Sequence, residues 1–145
     1  MLTIQKFVYL LEDFHYNEFC KQLESVSAAL PLKLIKEIRK KLPEFDTHEG
    51  LCTKIYGSFK EKQNFNQLSS YTFKLSYLVC HNYPNYLHHN IPLIEKMVND
   101  GKIKEANFRA DCLLDIAGNV EDFQALVFVL KFKTQQAYLV RDATT

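Results

Sequence analysis

An all-α fold follows from three features of the sequence. Apolar residues recur at helical spacing along most of the chain, short polar turns interrupt them, and strand-like alternation is nearly absent. The clearest turns are Asn99-Asp100-Gly101 and Gly118-Asn119, and the 16 residues between their glycines suit one helix and its turn. We expect antiparallel helix hairpins, stacked as a short α-solenoid or an irregular helical bundle. About seven to eight helices fit in one domain spanning residues 1–145.

The first helix is predicted over about residues 3–13, where Ile4, Phe7, Val8 and Leu11 form one stripe. Residues 13–17 read as a turn, with His15 a cap or surface residue beside Asp13. A second helix to about residue 29 carries Phe19, Cys20, Leu23 and Val26. Pro31 suits the first turn of a third helix, where its missing N–H costs nothing, and Pro43 stops that helix. Its apolar side holds Leu34, Ile35, Ile38 and Leu42.

Asp46, with Glu49 three residues on, predicts the cap of a fourth helix carrying Leu51, Cys52, Ile55, Tyr56 and Phe59. Gly57 is a weak point near its end, and the solvated stretch 60–64 closes it. The fifth helix runs over about residues 66–81 with Leu68, Tyr71, Thr72, Leu75, Leu78 and Val79. Residues 82–86 form a loop or broken helix. A sixth helix starts near Pro92 and ends at residues 99–101, and a seventh spans about residues 102–117. The seventh turns Ile103, Ala106, Ala110, Leu113, Leu114 and Ala117 inward, with Gly118 as its left-handed terminator. The eighth, about residues 120–139, includes Phe123, Leu126, Val127, Leu130 and Ala137. Its middle is apolar nearly all round, and the lengths of its flanks favour helix over strand. Residues 142–145 are expected to fray.

Composition narrows the function classes. A hydrophobic fraction of 47% excludes a disordered chain, and 4 Gly with 4 Pro leave little turn material for an all-β fold. A net charge of +1 supplies no global field for nucleic acid or an anionic membrane. Cys20, Cys52, Cys80 and Cys112 all lie in apolar stretches of predicted helices, the pattern of reduced thiols in a cytoplasmic protein. The first residues read as a helix rather than a signal peptide, and no apolar run reaches the length of a membrane span.

The segment Asp100-Gly101-Lys102-Ile103-Lys104-Glu105-Ala106 has a Gly-basic-x-x-Glu-Ala pattern. It resembles the inter-helix turn of tetratricopeptide-type repeats, and residues 119–123 resemble it more weakly. The resemblance covers about residues 92–140, without the aromatic/Leu-Gly pattern of the first repeat helix. It implies a protein-interaction scaffold whose concave face takes a partner's peptide or helix.

No catalytic motif stands out: there is no phosphate-binding loop, dinucleotide fingerprint or nucleophile elbow. Cys80, His81, His88 and His89 are the one concentrated set of potential metal ligands. Adjacent helical residues diverge in bearing, so loop histidines without a metal are the favoured reading and metal binding stays open. His48 and Cys52 share a helix face, but Cys52 lies on the apolar stripe and nothing orients the pair for nucleophilic chemistry. Carboxylate pairs such as Asp111/Asp115 read as surface acidity.

The strongest electrostatic feature is Lys33, Lys36, Arg39, Lys40 and Lys41 against the single Glu37. Lys33, Lys36 and Lys40 share one face of the third helix, an ordinary solvated face that also suits an acidic partner. The expectation is a non-enzymatic scaffold for protein–protein interaction, needing no cofactor and no metal. Its candidate contacts are Lys36, Lys40, His88 and the exposed-type aromatics Tyr83 and Tyr86. The expected partner is another protein or peptide, an acidic one included, with self-association open and no membrane. The alternative is a helical nucleic-acid-binding or regulatory domain, in which the lysines would grip phosphates without reading bases.

Overall fold

A computed structural model describes residues 1–144, and among them there are eight helices of seven residues or more and no strand. The chain is all-α, as its periodicity predicts. It divides into two compact units, Met1–Tyr86 and Leu87–Thr145.

In the first unit, α1 (Thr3–Leu10) packs on both α3 (Ala29–Lys41) and α5 (Lys62–Lys74). Helix α2 (Asp13–Ser25) lies against α3 and the short α6 (Tyr77–Cys80), while α4 (His48–Tyr56) lies against α3 and α5. Phe7, Phe19, Phe65, Leu23, Leu34, Ile35 and Leu51 are fully buried. Phe7 anchors this core, with edge-on contacts to Phe19 at 5.6 Å and Phe73 at 5.8 Å between centroids.

Several boundaries differ from expectation for identifiable reasons. Leu11 and Glu12 are extended and end α1 early, so the corner is tight and His15 sits inside α2 instead of a turn. Thr47, not Asp46, caps α4: its hydroxyl accepts from the Gly50 N–H at 3.0 Å, while the Asp46 carboxylate pairs with Lys54. Gly57 ends α4 in the left-handed conformation, at φ 77°. The stretch expected to be solvated turn instead forms a 3-10 turn at Phe59–Glu61 and the start of α5. Helix α5 then breaks at Leu75 and Ser76, splitting the single helix expected there.

The second unit packs in chain order, α7 (Asn90–Asn99) on α8 (Ile103–Val120) and α8 on α9 (Phe123–Thr144). Gly101, at φ 80°, joins the first pair: its N–H donates to the Val98 carbonyl and that of Lys102 to the Met97 carbonyl. Ala106, Ala110 and Ala117 are fully buried on α8, where small side chains permit close helix approach. Ile103 is an exception to the inward set, at 39% exposure. Gly118 does not terminate α8; it is helical, and Glu121 takes the left-handed position at φ 58°. Asp122 restarts the chain, its carboxylate accepting from the Ala125 N–H at 3.1 Å. Helix α9 extends to Thr144, past the predicted end; of the residues expected to fray, Thr145 lies outside the described residues.

Candidate functional site

The basic face of α3 is less available than its sequence implies. Arg39 turns back to the α1–α2 corner, donating to the Val8 and Leu11 carbonyls at 3.4 Å and 3.0 Å and pairing with Asp13. Its guanidinium also lies 4.5 Å from the centroid of the Tyr16 ring. Lys33 donates to the Ile55 carbonyl at the end of α4, Lys40 pairs with Glu37, and Lys54 pairs with Asp46. Lys36 and Lys40 do share an exposed face. Asp13 and Glu37 offset the charges of Arg39 and Lys40, two of the five basic residues of α3.

The aromatic candidates separate. Tyr83 is half-buried, its ring 5.3 Å from those of His15 and the 53%-exposed Phe14, so it lines a surface. Tyr86 is 2% exposed and packs against Phe7 and His15, which corrects its reading as an exposed-type aromatic. His15 is likewise buried, with Nδ1 3.1 Å from a Glu12 carboxylate oxygen, and is not a surface residue. His88 belongs to the second unit, where its Nε2 lies 2.9 Å and 3.0 Å from the two Asp122 oxygens. The pair ties the segment before α7 to the cap of α9, a structural task.

Neither Cys20 nor Cys52 is an activated thiol. Cys52 is fully buried and donates to the Ser58 carbonyl at 3.4 Å, and burial pushes its thiol up from its ordinary range. His48 is exposed at the start of the same helix. Burial also raises Cys20, more than its bond to Tyr16 and the charges of Lys36 and Arg39 lower it. Burial, and then the bond to Cys20, raise the Tyr16 hydroxyl in turn. A reactive cysteine needs the opposite shift.

The surface that stands out is on α9, where sequence reasoning placed no site. Phe123 is 70% exposed, Val127 52%, Leu130 56% and Tyr138 61%. With the exposed Thr134 between them, these five residues fall within about 80° of helical arc and run about 22 Å along the axis. Thr134 returns its hydroxyl to the Leu130 carbonyl at 2.8 Å, so the middle of the stripe presents no unpaired donor. The opposite side of α9, with Ala125, Val129 and Phe132, is the side buried in the second unit. Flanking the stripe are the exposed Lys131 and the half-buried Lys133, the latter paired with Asp111 of α8. The sequence did carry a signal: a helix apolar nearly all round needs a second covering surface.

Comparison with family models, with curated proteins and with solved structures finds no match for this chain. The tetratricopeptide resemblance therefore rests on its own residues. No helix among the described residues is long and apolar enough to cross a membrane.

Proposed function

We propose that this chain is a non-enzymatic helical scaffold that binds another protein, and that the outer face of α9 is its principal contact surface. One observation carries the reading: four large apolar side chains, Phe123, Val127, Leu130 and Tyr138, stand more than half exposed in a single row. Scattered exposed apolar residues are normal on a protein surface, but a contiguous row marks an interaction site. Burying one such side chain contributes about 1.5–3 kcal/mol, so a few of them supply the core of a specific interface.

The chain-order packing of α7, α8 and α9 supports a helical-repeat character for the second unit, in keeping with the turn at residues 100–106. The raised thiols of Cys20 and Cys52 favour a binding role over nucleophilic catalysis, and four cysteines on separate helices suit a reducing cytoplasm. Local pairing of Lys40, Lys54 and Arg39 with carboxylates weighs against the nucleic-acid alternative.

Site-specific photo-crosslinking in the native cells tests this reading. A photoreactive residue at Val127 or Leu130 is expected to yield a discrete adduct with another polypeptide, and one at the exposed Gln63 of α5 is not. Absence of adducts from both α9 positions, or equal labelling from Gln63, would refute it.

A further inference from the structure

Resting on that reading, we infer that the occupant of the α9 face is an amphipathic α-helix whose apolar stripe is flanked by carboxylates. Three observations point to it. The first is spacing: Phe123, Val127, Leu130 and Thr134 succeed one another at intervals of four, three and four residues. That alternation is the seam along which one helix receives another, each side chain entering a gap between residues of the facing rod. A peptide added as a β-strand would instead need a row of open backbone donors and acceptors, which a helix flank does not present.

The second observation is continuity. Helix α9 lies on α8 as α8 lies on α7, and its outer face occupies the position against which a further helix of such a stack would pack.

The third is charge. Between Phe123 and Leu139 the only charged residues are Lys131 and Lys133, and there is no Asp or Glu. Lys131 lies about 60° to one side of the stripe centre, where its ammonium group borders the seam, while Lys133 lies about 100° to the other side and is paired with Asp111 of α8. A partner helix that bears Glu or Asp beside its apolar residues meets opposite charge along the Lys131 border. A second copy of this chain does not. Laid antiparallel so that Phe123 covers Tyr138, it would bring the two Lys131 side chains within about one residue of each other along the seam.

The test uses the full chain and two labelled synthetic helices of about three heptads, with the same Leu/Ile seam but flanked by Glu in one and by Lys in the other. Fluorescence anisotropy is expected to show binding of the Glu-flanked helix, with the Lys-flanked one weaker by at least about tenfold. Leu130→Asp should weaken the Glu-flanked helix by about tenfold or more with an unchanged thermal melt, and Lys131→Glu should narrow or reverse the preference between probes. Equal binding of both probes, or binding of neither, overturns the inference. If a Val127 photo-adduct to another protein persists alongside that result, the scaffold reading stands and only the helical, acidic occupant falls. A dimer in sedimentation that Leu130→Asp dissolves would assign the face to a second copy. Capture by phosphatidylserine vesicles that the same substitution abolishes would assign it to a lipid surface. Either result overturns the inference.

Discussion

Arg39 illustrates how one side chain can belong to structure while its neighbours in sequence face the solvent. It is one of the five basic residues of α3, yet its guanidinium reaches carbonyls at the end of α1, a carboxylate at the start of α2 and the face of Tyr16. A planar fork can satisfy several acceptors at once, and an ammonium cannot. Arg39→Lys should therefore destabilise the chain by about 1–2 kcal/mol in urea unfolding, while Lys36→Arg should change stability by less than about 0.5 kcal/mol. Equal effects would show that Arg39 is another solvated cation. The distinction was not legible in the sequence, because Asp13 lies 26 positions away and only the extended Leu11–Glu12 corner brings it close. Tyr86 was misread for a similar reason: a tyrosine that follows Pro84-Asn85 in a polar segment looks wet until Phe7 is placed behind it.

At the scale of elements, helix cores were the legible part and helix ends the illegible one. Leu34, Ile35 and Ile38, together with Ala106, Ala110 and Leu113, lie inward as their spacing dictates, since periodicity reports directly on which side is buried. Ends depend on a few hydrogen bonds that compete closely. Glycine marks the ends of α4 and α7, but α2 and α8 close on Ser27 and Glu121, both at φ 58°. At the first of these, the Ala28 N–H reaches the Leu23 carbonyl at 2.9 Å and that of Ser27 reaches the Glu24 carbonyl at 3.0 Å, the bonds of a left-handed helix stop. A residue with a Cβ is strained there, and glycine is not. Ser27→Gly should raise stability by about 0.5–1 kcal/mol in chemical denaturation, net of the greater entropy glycine gives the unfolded chain. A loss of stability would mean that the left-handed turn is wrongly placed.

For the molecule as a whole, the division between residues that hold the fold and residues left for a partner is the point on which function turns. Helix α9 was legible as a long apolar helix, but no feature of one helix says which of two apolar sides its neighbours will cover. The second unit covers Ala125, Val129 and Phe132, and Phe123, Val127 and Leu130 are left to the solvent. If that face is reserved for a partner, the outer row adds nothing to the stability of the chain alone. Thermal unfolding of Val127→Glu/Leu130→Glu, beside Val129→Ala, measures that most directly. The outer pair should shift the midpoint by no more than about 2 °C, whereas Val129→Ala, in a fully buried position, should lower it by several degrees. A comparable or larger drop for the outer pair would place those side chains in the chain's own core and leave no face for a partner to fill.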